Sequence, residues 1–493
     1  MIEENIMEAF NNELYLKKQS DNILKRIKMF DNKLYLEFGG KIFDDYHAMR
    51  VLPGFKIDSK VQMLLEMRNR VEIIIVVNAK DIESGKVRAD MGITYENEVI
   101  RMMSAFKDMK LFVGSVVITQ FNNEPNAVAF IKRLETMKVK TYKHYVISGY
   151  PSNVSKVLSD EGFGMNEFVK TTRPLVVVTA PGPGSGKMST CLSQIYHENL
   201  NGVKAGYAKY ETFPIWNLPL KHPVHLAYEA ATADLKDVNM IDPYHLAAYG
   251  ETTVNYNRDV EIFPVLRELF DHIYGESPYK SPTDMGVNMI AYCIENEEEV
   301  SKACEQEIIR RYLIALADSK LGKVKENVVI KLEHVMSQMG TSVDHRPCVE
   351  AARVKMEEKK CPVIALSLKD GSIVYGKTTN LLEASAALIL NAIKHLANIR
   401  KDFPLIPANV IEPIKAIKVN ALGNRNPRLV VNDILIALAI SAGSNPLASE
   451  ALKYLDQLQG TDAHASYFLP VDVEITLKKL GINITKETNF DNE

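Results

Sequence analysis

VVVTAPGPGSGKMST (residues 176–190) joins a β-branched run to alternating prolines and glycines, and then to a helix-like segment opened by Lys187 and Met188. A phosphate-cradling loop needs a strand to deliver it, glycines that leave backbone N–H groups unobstructed, and a helix whose first amides complete the anion site. Gly182, Gly184 and Gly186 with Ser185, Lys187 and Ser189 supply these parts after the strand candidate 174–180. The match to GxxxxGK[ST] is incomplete, because Pro181 takes the first glycine position and Met188 takes that of the hydroxyl residue that completes a magnesium shell. Ser189 is displaced by about 100° around the helix. GxGxxG fails as well, since its third glycine falls on Lys187. A tight structural turn with a solvated lysine is the competing reading. The concentration of glycines, prolines and a lysine at one strand end favours the anion cradle.

Outward from this loop, short apolar runs recur at 33–38, 72–78, 111–119, 142–147 and 204–210, separated by helix candidates near 58–69, 95–109, 124–137, 152–160 and 187–200. Runs that are apolar throughout imply strands covered on both faces. The predicted class is therefore α/β, a mostly parallel sheet containing a strand, Gly-rich loop and helix unit. From 211 to 345 the strand-like runs give way to helical spacing. After 346 a hairpin with Asp370-Gly371 at its turn and apolar helices at 380–398, 431–441, 446–458 and 471–480 restore an α/β, helix-rich pattern. The expected division is 1–210, an N-terminal α/β domain; 211–345, a mainly helical domain; and 346–493, a C-terminal α/β domain.

The 493 residues are 46% hydrophobic and 25% charged, with a formal net charge of −3. No basic field or polybasic run points to nucleic acid or a lipid surface. Five cysteines, at 191, 293, 304, 348 and 361, show neither CxxC pairing nor metal-ligand spacing and suit reduced thiols. The first residues, MIEENIMEAFNNELYLKK, lack the apolar core of a signal peptide. The run ILIALAI (434–440) is far short of the roughly 20 residues of a membrane span. A cytoplasmic protein with no membrane or nucleic-acid partner is expected, taking a small phosphate-bearing ligand.

Other segments carry chemistry-bearing residues. In 36–55, Gly39-Gly40-Lys41 follows a strand, and Asp44, Asp45, His47 and Arg50 fall within about two helical turns. Asp45 and His47 are candidates for proton transfer or metal binding, against a plain helix-capping role for Asp44 or Asp45. In 205–225, Lys209, Glu211, Trp216, Asn217, Lys221 and His222 suit a substrate wall or a surface loop pinned by a buried tryptophan. In 239–266, Arg258 is a candidate for a bidentate phosphate or carboxylate contact, or for a structural pair with Asp259. Asp344-His345-Arg346, Lys377-Thr378-Thr379 and Asp462 with His464 are weaker signals.

The stretches LYLEFGGKIFDDYHAMRVLPGF, TRPLVVVTAPGPGSGKMSTCLSQIYHE and ETFPIWNLPLKHPVHLAYEAATADL together resemble a bacterial family catalogued as domain of unknown function 1846, also uncharacterised protein family 0371. The similarity spans nearly the whole chain and includes Met188. It implies an N-terminal α/β portion, a central helical portion and a C-terminal α/β portion, and it carries no catalytic residue or substrate with it.

Three functions stay open from the sequence. The first is a nucleotide- or phosphometabolite-binding protein, a phosphotransferase in its enzymatic form, with Lys187, Asp45, His47 and Arg258 as catalytic candidates. Magnesium is possible there despite Met188, and no metal ligands are assigned. The second is an oxidoreductase or transferase using a dinucleotide or other cofactor. The third is a ligand-regulated homo-oligomer without catalysis, its interface drawn from the apolar helices at 380–398 and 431–441.

Overall fold

The structure is a computed structural model that describes residues 9–40, 42–43, 45–88, 92–235 and 237–488. Six parallel strands form the main sheet: β1 (Leu34–Phe38), β2 (Val71–Asn78), β3 (Phe112–Phe121), β4 (Thr141–Tyr145), β5 (Leu175–Thr179) and β6 (Gly206–Tyr210). Their order is β4-β3-β2-β5-β1-β6. Every residue of β2 and β5 is buried, which is why these strands read as unbroken apolar runs. Helix α1 (Tyr95–Asp108) lies on the connection from β2 to β3, and α2 (Lys187–Leu200) on that from β5 to β6.

The order places a reversal at β2 and β5. These strands are neighbours, with Ile75 opposite Thr179, yet the chain leaves β2 toward β3 and leaves β5 in the other direction, past β1 to β6. Right-handed crossovers in opposite directions carry the following helices to opposite faces, so a crevice opens at the carboxyl ends of β2 and β5. The loop 181–186 emerges at that point.

By compactness the chain divides between Cys304 and Glu305. Residues 211–304, expected to begin a separate helical domain, fall instead in the same compact unit as the sheet. Helix α3 (Asn257–Tyr274) buries Phe263, Leu266, Leu269, Phe270 and Ile273 in the same cluster as the strands. A further helix absent from the sequence reading, Asn12–Lys28, is capped by Asn11 and buries Tyr15, Ile23 and Ile27.

The second unit holds a four-stranded sheet of order β8-β7-β9-β10, with β7 (Val363–Ser367), β8 (Ile373–Lys377), β9 (Asp462–Ala465) and β10 (Asn483–Lys486). The hairpin turns as expected, with Gly371 at φ 81°. Helix Ala384–Leu396 buries its apolar face in this unit's own core, whereas Ile436 and Ile440 of helix Val431–Ala442 remain exposed. No helix among the described residues is long and apolar enough to cross a membrane.

Candidate functional site

The loop hangs from the strand tips by its carbonyls. Asn78, at the end of β2, donates from Nδ2 to the Gly184 carbonyl at 3.3 Å, and Thr119 of β3 donates from Oγ1 to the Ser185 carbonyl at 2.7 Å. The Ser185 hydroxyl, fully buried, donates to the Gly182 carbonyl at 2.9 Å. In a trans peptide the C=O and the following N–H point in opposite directions. Holding the carbonyls of Gly184 and Ser185 on the strand side therefore turns the N–H groups of Ser185 and Gly186 away from it. Gly186 caps α2 at φ 87°, a left-handed conformation that favours glycine, and it offers no side-chain cap. Among the described residues, no N–H from Gly184 through Ser189 has an acceptor. These are the orphan donors of a helix start, joined by two from the loop.

They line a cavity of about 1090 Å³ that runs along the carboxyl ends of the sheet. Gly39 and Gly40 after β1, Thr119 and Gln120 of β3, Tyr145 and Ile147 of and after β4, the loop after β5, and Lys209 and Glu211 of and after β6 all contribute. Lys187 lines it with no carboxylate partner among the described residues. Ser189 and Tyr150 line it too, and burial pushes the Tyr150 hydroxyl up to about 12. Arg258 also lines the cavity, pairing with Asp237 at 3.5 Å. Its sequence neighbour Asp259 turns instead to Lys209, at 2.6 Å.

Asp45 and His47 are not part of this lining. Asp45 caps a short helix by accepting from Ala48 N, and it pairs with Lys60 at 2.8 Å and Thr212 at 2.8 Å. Burial works to raise its pKa, and the Lys60 ammonium with the Lys60 and Thr212 hydrogen bonds outweighs that, leaving the carboxyl below its ordinary value. The His47 ring packs against Phe213 and Tyr228. Asp44 and Lys41 lie outside the described residues. Trp216 donates to the Asn288 carbonyl at 3.1 Å and lines a separate, smaller pocket with His245 and Tyr249. No group of three or more His, Cys, Asp or Glu among the described residues is arranged to hold a metal.

The sequence reading did not single out Glu37, Tyr95, Thr119, His144 or Tyr150. Each stands near a strand's carboxyl end or on the segment after it, where doubly wound sheets place ligands. Reading the end of every strand candidate, rather than glycine content alone, would have found Thr119 and His144.

A sequence model described as "Domain of unknown function DUF1846, N-terminal" matches residues 8–340, and its C-terminal counterpart matches 344–493. The chain belongs to this family. UPF0371 proteins of Streptococcus thermophilus (strain ATCC BAA-491 / LMD-9) and Streptococcus pyogenes serotype M5 (strain Manfredo) are 53% and 54% identical to it over 478 and 477 residues, 97% of each chain in both cases. In this DUF1846 chain both glycine-rich stretches behind the resemblance, 39–40 and 182–186, line the one cavity.

Glu211 carries a stability signature. Burial pushes its carboxyl up to about 7, opposed by Lys209 at 3.1 Å and reinforced by Asp259 and Glu37. Since the folded value exceeds the ordinary 4.5, the folded state holds a proton between those pH values that the unfolded chain releases. Stability tied to this group is thus present at low pH and lost as pH rises through 7. Glu211→Gln is expected to raise the melting temperature by a few degrees at pH 8 and to leave it unchanged at pH 4.5. Equal shifts at both pH values in thermal scans would refute the assignment.

Proposed function

We propose that this protein binds a nucleotide or another phosphorylated metabolite on loop 181–189 and acts on it as a cytosolic phosphotransferase. The observation that carries the reading is the set of unpaired amides from Gly184 to Ser189, lining a deep cavity at the reversal of strand order. Backbone donors at a helix start, together with a lysine that has no carboxylate partner among the described residues, form an anion site whose geometry exists before the ligand arrives. Lys187 neutralises phosphate charge, and the amides orient the oxygens. Arg258 reaches the cavity from α3 and meets a second anionic group. Phosphoryl transfer fits because its catalysis is largely positioning and electrostatics. Five free cysteines accord with a reducing compartment.

Calorimetric titration with inorganic phosphate, ATP and GTP tests the reading. Wild type is expected to bind, and Lys187→Ala to bind about tenfold more weakly, the loss of one charge-assisted contact. No measurable binding of any of the three by wild type would remove it.

A further inference from the structure

Glu211 occupies the arm of the cavity on the β6 side of the loop. Glu37 of β1 and Lys209 of β6 are register partners, and Glu211 lies two residues beyond Lys209. β6 is two strands from β5, so the strand ends that lead into Glu211 and into the loop lie about 10 Å apart along the sheet edge. That separation suits a molecule with phosphate at one end and a hydroxyl group several carbons away.

The carboxylate is held in place from two sides. Lys209 Nζ sits 3.1 Å from it while making a shorter contact, 2.6 Å, with Asp259. Beneath it lies Gly39, where an added Cβ would fall 2.5 Å from Glu211 Cγ and 2.9 Å from its Oε1. Only glycine permits this approach. The groups facing Glu211 are Lys209 of β6, Glu37 on β1, Asp259 and Arg258 on α3, and the phenols of Tyr228 and Tyr256. Asp259 neutralises much of the charge on Lys209, so Glu211 keeps proton affinity that a simple ion pair would remove.

A second observation in the same cavity points to a ligand. His144 is 3% exposed and lines the cavity on the β4 side. Its Nε2 lies 3.3 Å from the Glu167 carbonyl, which makes Nε2 the protonated nitrogen. Burial lowers its pKa to about 4, so Nδ1 keeps a bare lone pair, and it has no partner among the described residues. A buried acceptor of this kind takes its hydrogen bond from an ordered water or from a donor group on a bound molecule.

Resting on the phosphate-binding reading above, we infer that Glu211 is the hydrogen-bond acceptor for the far end of the ligand in this cavity, and that the ligand is a phosphorylated polyol whose phosphate sits on the loop and whose distal hydroxyl meets Glu211. In the complex the distal O–H donates to a Glu211 carboxylate oxygen, and no covalent bond is broken. Lys209 and Gly39 are positioning residues, fixing the carboxylate without touching the ligand.

The experiment compares binding of inorganic phosphate and glucose 6-phosphate by wild type and by Glu211→Gln, using calorimetry at pH 6 and pH 8. At pH 8 glucose 6-phosphate is expected to bind the variant about tenfold more weakly, while inorganic phosphate binds both proteins equally. At pH 6, with the wild-type carboxyl protonated, the gap closes. Gly39→Ala, which displaces an intact Glu211, is expected to reproduce the selective loss. Should that variant fail to fold, the near-isosteric Glu211→Gln comparison decides alone. Equal glucose 6-phosphate affinities for wild type and Glu211→Gln at both pH values would overturn the inference while leaving the loop reading intact. Absence of inorganic phosphate binding by wild type overturns the loop reading and this inference with it.

Discussion

Gly182→Ala is expected to weaken inorganic phosphate binding by about tenfold to a hundredfold in the same calorimetric measurement, with the far-ultraviolet circular dichroism spectrum retained. An added Cβ would lie 2.1 Å from Tyr95 Oη and 2.7 Å from Tyr95 Cζ. Tyr95 is 5% exposed, opens α1 within the core, and has the Lys86 ammonium over its ring at 4.9 Å. A ring so confined does not rotate aside, so the loop must move. Overpacking of this kind costs roughly 1–3 kcal/mol, and here it falls on the backbone that aims the amides. Tyr95→Phe removes the nearest atom of the clash, and the double variant Gly182→Ala, Tyr95→Phe should recover part of the lost affinity. A double-mutant cycle isolates that coupling. Additive effects, or a Gly182→Ala protein that binds phosphate like wild type, would show that the loop's position against Tyr95 does not set the site.

The parts of this architecture that sequence exposes are those fixed by local pattern. The strands β2 and β5 are the most legible because strands buried on both faces must be apolar along their length, as in EIIIVVN and PLVVVTA, whereas the edge strand β4, TYKHY, is only partly buried. The loop is legible because its glycines and lysine sit within a few residues of each other. Helix Asn12–Lys28 is not, since several of its buried positions are polar: Asn12 accepts from Ser59 Oγ at 2.6 Å, and Gln19 donates to the Val287 carbonyl at 3.1 Å. Long-range hydrogen bonds bury those side chains, and no periodicity records them. The separation of Asp45 from the cavity is hidden for the same reason. A carboxylate followed two residues later by a histidine reads alike as a cap or as a catalytic pair until Lys60 and Thr212 are seen around it. The Gly39 and Glu211 contact depends on strand order, which places β1 beside β6 although the other four strands of this sheet lie between them in the chain.

In the second unit, Asp462→Ala is expected to lower stability by about 3 kcal/mol. Arg346 is fully buried, and its Nη2 donates to Asp462 Oδ1 at 3.1 Å and to the Asn483 carbonyl at 3.0 Å. Its Nε has no partner among the described residues, so this guanidinium is already imperfectly satisfied, and Asp462 is the carboxylate paired with it. Removing that carboxylate leaves a desolvated cation beside neutral dipoles, a larger penalty than the pair itself contributes. The effect should concentrate where Arg346 bridges β9 and β10, which pair in parallel with Asp462 opposite Asn483. Hydrogen exchange read by mass spectrometry is expected to show lost protection across 462–465 and 483–486, with β2 and β5 unchanged. Replacing both partners by apolar residues, Arg346→Met with Asp462→Leu, is expected to recover most of the loss, because neither charge then remains buried alone. If the single variant keeps wild-type protection in β9 and β10, the pair does not hold these strands together. If the double variant is less stable than Asp462→Ala, the cost lies in lost hydrogen bonds to the Asn483 carbonyl rather than in the unpaired charge.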